Sequence, residues 1–131
     1  MSPRFLQPDG WPRPSGYANG VSASGRAIFV AGQIGWDTER RLATGDFVEQ
    51  ARQSLQNILA ILAEDGAGPE HLVRLTWYVT DRAQYVDAAK PLGAVYREVM
   101  GKNYPAMTAV QVAALMEPEA LVEIEATAVV P

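Results

Sequence analysis

Cysteine is absent from this 131-residue chain, and histidine occurs once, at His71. With no thiolate and a single imidazole, the chain has no thiol nucleophile, no disulfide, no iron–sulfur ligation and no imidazole-rich zinc site. Long apolar runs are missing as well. The longest, residues 58–63, falls far short of the roughly 20 residues that cross a bilayer. Residues 1–15 carry prolines and charges instead of the apolar run of a signal peptide, so a cytoplasmic protein with no membrane partner is expected. An excess of basic charge is also lacking. Eleven Lys+Arg against 15 Asp+Glu give a formal charge of −4, which leaves no basic face for counterion release and no expectation of a nucleic-acid partner. No P-loop and no G-x-G-x-x-G after a strand is found. The expectation is therefore a protein with no cofactor and no metal.

What is present suits one domain spanning residues 1–131. Apolar residues make up 48% of the chain and charged residues 20%, far from the balance of a disordered chain, and folding at this size buries roughly two thirds of the unfolded surface. Pro3, Pro8, Pro12 and Pro14 predict that residues 1–15 lie extended over a surface. Residues 21–23 and 27–31 flank Ser24-Gly25-Arg26 and read as two strands joined by a tight turn. Gly32-Gln33-Ile34-Gly35 prolongs the second strand, and its glycines mark a bulge or a close approach by another backbone or a ligand. A charged loop, residues 37–45, follows.

Asp46 with Glu49 three residues on has capping-box character, and Val48, Ala51, Leu55, Ile58, Leu59 and Leu62 then fall on one helical face, with Gly66 suited to the C′ position. Residues 73–80 alternate Val73, Leu75, Trp77 and Val79 against Arg74, Thr76, Tyr78 and Thr80, a half-buried strand. Asp81 can cap a short turn over residues 82–86. Pro91 forbids one unbroken helix, so a second helix is expected through Leu92, Val95, Tyr96 and Val99, closed by Gly101. Strands over residues 108–115 and 121–130 complete the chain. The order predicts a mixed α+β sheet with two helices on one face. In the last strand Val122, Ile124, Ala126 and Ala128 make an inner face, while Glu123, Glu125 and Thr127 match Arg74, Thr76 and Tyr78 on the other. That polar face, with its aromatic and small residues, suits packing against another copy of the chain.

Several separate motifs resemble those of the Rid family of reactive-intermediate deaminases, also called YjgF-like proteins. They are Gly16-Tyr17, Phe29-Val30-Ala31-Gly32-Gln33-Ile34, the run from Gln50-Ala51-Arg52 through Asn57, Tyr104-Pro105-Ala106, Val110-Gln111-Val112, and Val122-Glu123-Ile124-Glu125-Ala126. The resemblance spans residue 16 to the C-terminus. It implies a chorismate-mutase-like fold in a homotrimer with a central β-barrel and the helices outside. It also implies three clefts between subunits that bind small carboxylic acids and hydrolyse imines and enamines.

Carried over by position, the resemblance makes Glu123 the residue that positions or activates water, Tyr17 a hydrogen-bond donor from the neighbouring subunit, and Gly32 a backbone anchor. Gln33, Met107 and Thr108 would complete the substrate-binding set. Where the family has an arginine that clamps carboxylate, this chain has Met107. Ala109 stands where many members have cysteine, Ala31 where a serine is common, and Gly93 where an asparagine is found. Arginine alone grips carboxylate through a planar fork. Losing a charge-assisted contact of about 1.5–3 kcal/mol weakens binding about ten- to a hundredfold. Two readings follow: an imine or enamine hydrolase for a substrate other than 2-iminopropionate, or a small-molecule-binding or regulatory trimer without the reaction. Without the resemblance, Glu123 reads as a surface carboxylate, Met107 as core, and Arg40-Arg41 as surface charge, although a loop arginine reaching the cleft from another subunit is also a candidate substitute for the clamp. Ribonuclease activity, reported for some relatives, is disfavoured by the acidic charge and the single histidine.

Overall fold

The alternation of the last strand sets the architecture. The computed structural model describes residues 3–131, with β6 (Val122–Val130) central in a four-stranded sheet of order β3-β6-β4-β5. Here β3 is Arg26–Gln33, β4 is Leu72–Val79 and β5 is Ala106–Gln111. β6 runs antiparallel to β3 and β4, whereas β5 runs parallel to β4. A parallel pair needs a long crossover, and the helices α2 (Arg82–Asp87) and α3 (Ala89–Met100) supply it. The fold is α+β with a mixed sheet and two main helices, as expected.

The long helix α1 (Phe47–Ala63) starts where the capping pattern predicts, with the Asp46 carboxylate accepting from the Glu49 amide at 3.1 Å. Gly66, at φ 71°, turns the chain just beyond its C-terminal end. Pro91 occupies the third position of α3, where the missing N–H has no intrahelical partner to lose. α1 buries Ala51, Leu55, Ile58 and Leu62 completely, against Leu75, Trp77, Val79, Val122 and Ile124 of the sheet and Leu92, Val95, Tyr96 and Met100 of α3. Each fully buried Leu or Ile contributes about 1.5–3 kcal/mol, so this one apolar layer fixes both helices on the same face. The other sheet face is open, and it carries the expected set: Tyr78 stands opposite Glu123, Thr76 opposite Glu125 and Arg74 opposite Thr127.

Four local expectations are corrected. Residues 21–23 and 27–31 do not pair with each other. β2 (Gly20–Ser22) pairs with β1 (Arg4–Leu6), and β3 pairs with β6. Gly25, at φ 142°, passes so close to the Val130 carbonyl that a Cβ would collide with it, so the chain crosses between sheets there instead of closing a hairpin. The proline-rich start is extended and exposed at residues 4–6 as expected, but these proline-free residues also enter a ladder, which the surrounding prolines disfavour. Residues 1 and 2 of that segment lie outside the described residues. In β4, Val73 is an extra residue opposite β6, so Leu72 takes the core place that strict alternation assigns to Val73. The strand expected at 108–115 is β5, residues 106–111, paired to β4 along its whole length.

Gln50 is fully buried on α1 and saturates its amide. Its Nε2 donates to the Ala43 and Glu119 carbonyls at 3.1 and 3.2 Å, and its Oε1 accepts from the Leu121 amide at 2.8 Å. Replacing it would strand three backbone groups. Gln50→Leu is expected to lower unfolding free energy by about 2–3 kcal/mol in urea denaturation, with an unchanged m-value; an unchanged midpoint would show that these groups find other partners.

Candidate functional site

Between Val30 and Gln33 the ladder slips, so Ala31 and Gly32 face the single residue Glu125 of β6. This bulge, which the glycines of the sequence foreshadow, bends the end of β3 and opens space beside the start of β6. The Glu123 side chain lies over the bulge. A Cβ on Gly32 would run into the Glu123 carboxylate, so only glycine leaves room for it there. Gly32, Gln33 and Glu123 together line a cleft of about 610 Å³ whose remaining walls include Trp36, Arg40, Asn57, Met116 and Glu117.

Polar side chains of α1 hold these walls. Asn57 Nδ2 donates to the Ile34 and Trp36 carbonyls at 3.2 and 2.8 Å, and its Oδ1 accepts from Gln53 at 2.9 Å. Gly35 lets β3 approach the helix, since a Cβ there would fall 2.7 Å from the Gln50 Cα. The loop that follows is wound on Asp37. Its carboxylate accepts from the amides of Glu39 and Arg41 at 2.8 and 3.0 Å and from Arg41 Nε at 3.2 Å. Those backbone bonds, chiefly, hold the Asp37 carboxyl below its ordinary value. A depressed acid supports the loop at neutral pH and loses that support as pH falls through its lowered value.

The other site candidates are elsewhere. Met107 pairs with Leu75 and so faces the core side of the sheet, not the Glu123 side. It lines a second hollow, of about 430 Å³, with Gly16, Trp77, Tyr85, Gly93, Tyr96 and Tyr104, and with Lys90 and Arg97. Trp77 Nε1 is buried there with no hydrogen-bond partner among the described residues. Tyr17 is 39% exposed and lines an adjoining groove with Tyr104 and Lys102. Its neighbour Ala18 is tied to the β5 edge by a hydrogen bond that its amide N–H donates to the Pro105 carbonyl at 2.9 Å. Thr108, paired with Thr76, shares the open face with Glu123 but stands two strands away from it. One chain therefore brings together Gly32, Gln33 and Glu123, and carries Tyr17, Met107 and Thr108 on the far edge of the sheet. Among the described residues no group of three His, Asp or Glu side chains is placed to hold a metal ion, and no helix is long and apolar enough to cross a membrane.

The sequence pattern of the family described as Endoribonuclease L-PSP matches residues 12–130. The chain belongs to the Rid, or YjgF-like, family. A RutC family protein of Pyrococcus abyssi is 40% identical over 118 residues, 89% of each chain. A human protein named 2-iminobutanoate/2-iminopropanoate deaminase is 33% identical over 105 residues, covering 79% of this chain and 73% of that one. Among solved structures, the Rid family protein YyfB of Yersinia pestis superposes with a TM-score of 0.87 at 32% identity, over 99% of this chain and all of that one. In this Rid protein, Asn57 and Glu117 join the cleft without having been singled out for it by pattern, and Arg40, one of the two loop arginines weighed as a substitute clamp, lines it as well. Asn57 had one legible signal: with Gln50 and Ser54 it forms a polar stripe at helical spacing beside the apolar face.

On the open face the Tyr78 hydroxyl donates to Glu125 at 2.5 Å. That bond, with smaller contributions from burial and the Glu125 and Glu123 charges, holds the phenol above its ordinary value. A raised phenol favours the fold fully below about pH 10, the unfolded value, and its contribution is lost as pH rises through the higher folded value. Tyrosinate absorbance is expected to show Tyr78 titrating late together with Tyr85 and Tyr96, which burial also raises, and Glu125→Gln should bring one of these three back toward pH 10. An unaltered titration curve in that variant would remove the assigned cause.

Proposed function

We propose that this Rid protein is an imine or enamine hydrolase working in clefts between the subunits of a homotrimer, on a substrate other than 2-iminopropionate. The observation that carries the reading is the division just described: Glu123 over its bulge on one side of the sheet, Tyr17 and Met107 at the opposite edge. One chain holds two halves of a site that it cannot close on itself. The open face between them supports the assembly. Phe29 is 78% exposed and Val110 41% exposed, and both share that face with Tyr78. Sheets packed face to face around an axis, forming a central barrel, would cover these residues and set the Glu123 cleft of one subunit against the Tyr17 edge of the next.

The chemistry asks little of the protein. Water adds to the carbon of the C=N bond while Glu123 takes its proton, and the nitrogen is protonated and leaves as ammonia as the carbonyl forms. The imine and water thus become a ketone and ammonia. Tyr17 donates to the substrate from the next subunit, and Gly32 and Gln33 hold it through the bulged backbone. No cofactor is needed. With Met107 on the core side, the second hollow has a thioether wall where arginine would grip a carboxylate. That same observation favours the second reading, a small-molecule-binding or regulatory trimer that does not catalyse. The chain's net charge of −4 argues against RNA as substrate.

Ammonia release from imines generated in situ should fall about 10²–10⁴-fold in Glu123→Ala, the usual contribution of a general base, while Met107→Arg should gain activity on 2-iminopropionate. Equal rates in wild type and Glu123→Ala would leave the binding reading in its place. Phe29→Glu sets a charge in the proposed sheet-to-sheet contact. It is expected to give a folded monomer by light scattering and circular dichroism, with ammonia release lost; a trimer that survives this change would refute the assembly.

A further inference from the structure

The loop that ends at the Glu123 cleft contains a backbone outlier. Arg40 has φ 59°, and among the described residues it is the one non-glycine with positive φ. Glycine or asparagine takes that conformation with less strain, and such outliers cluster where a side chain must be aimed at a ligand. The loop aims this one. The Asp37 carboxylate fixes the backbone on both sides, and the Arg40 amide donates to the Asp37 carbonyl at 3.0 Å. The two adjacent arginines differ in their partners. Arg41 pairs with Asp37 at 3.2 Å and Glu39 at 3.4 Å. Arg40 has no acidic partner among the described residues; its guanidinium carbon lies 5.0 Å from the centroid of the Trp36 ring. Attraction to a ring face uses none of the five N–H donors. Trp36 in turn is anchored through its carbonyl to Asn57.

We propose that Arg40 is the anion-binding residue of this cleft, and that the ligand is an imino carboxylate oriented by opposite charges on one wall. This rests on the hydrolase reading for the imine half of the ligand, but not for its carboxylate half. Three acids line the cleft with Arg40: Asp37, already occupied by its loop, and Glu117 and Glu123, neither of which has an ion-pair partner among the described residues. A protonated C=N nitrogen is drawn to Glu117 and Glu123, and a carboxylate to the Arg40 fork. A cleft of about 610 Å³ leaves room for such a ligand beside Arg40, Glu117 and Glu123. The carboxylate grip is thus on the subunit that supplies Glu123, not across the interface at position 107.

The test separates binding from turnover by using 2-oxo acids, stable ketone analogues of imino acids, in calorimetry on the assembled protein. 2-Oxobutanoate and phenylpyruvate should both bind, and Arg40→Gln should weaken them about ten- to a hundredfold, as loss of a charge-assisted contact requires. Arg40→Lys, which keeps the charge but not the fork, should fall between. The methyl ester of phenylpyruvate should not distinguish Arg40→Gln from wild type. Unchanged affinity in Arg40→Gln, no binding of either acid by the wild type, or affinity lost instead in Lys90→Gln or Arg97→Gln would overturn the assignment. Arg40-dependent binding in a protein that releases no ammonia would uphold it while the hydrolase reading fell.

Discussion

The arrangement depends on two amide side chains of α1 that capture backbone from segments distant in sequence. Gln50 ties residue 43 to residues 119 and 121, and Asn57 holds residues 34 and 36. A buried amide with every group paired acts as a rigid spacer, whereas an unpaired one would be among the most destabilising groups in the core. The captured segments are the ones that turn out of β3 and into β6. They set where Gly32 and Glu123 lie, and where the loop bearing Trp36 and Arg40 leaves the sheet. The apolar layer under α1 supplies most of the stability, but it would tolerate small slides of the helix. The paired amides fix which slide is taken.

The strand order then decides what one chain can and cannot assemble. β5 joins the sheet parallel to β4 at the edge opposite β3. Residues on β5 and the segment beside it are thereby separated from Glu123 on β6 by the whole of β4, and Met107 is turned to the other face. No side-chain rearrangement carries Tyr17 or Met107 to Glu123 across that distance. The open face, with Phe29, Tyr78 and Val110 among acids and threonines, is the surface through which a second copy would bring them near. The cation and the carboxylates of the cleft, in contrast, come from a single chain and need no partner to be adjacent.

The readable features and the hidden ones divide along a physical line. Periodicity along a segment reports which way each side chain points. The inner and outer faces of β6, the Asp46 cap and stripe of α1, the helix break shortly before Pro91 and the bulge at the glycines after Ala31 were all legible for that reason. Pairing between segments was not. Gly25 sits in a sequence that reads as a hairpin turn, and only the carbonyl of Val130, over a hundred residues away, shows that the chain passes from one sheet to another there. The bulge at Val73 needed the register with β6. Arg40 and Arg41 are indistinguishable as a doublet of surface charges until the Asp37 turn gives one of them an acid and the other an indole ring.

By itself the sequence determined the fold class, through the periodicity of its segments, and the family, through the motifs it shares with it, because both are carried by local pattern. The tertiary structure alone decided that Gly32 and Glu123 meet within one chain, that Met107 turns away from them, and that Arg40 of the same chain lines their cleft. Those are relations across a sheet, set by register and by long-range hydrogen bonds that no window of neighbouring residues contains.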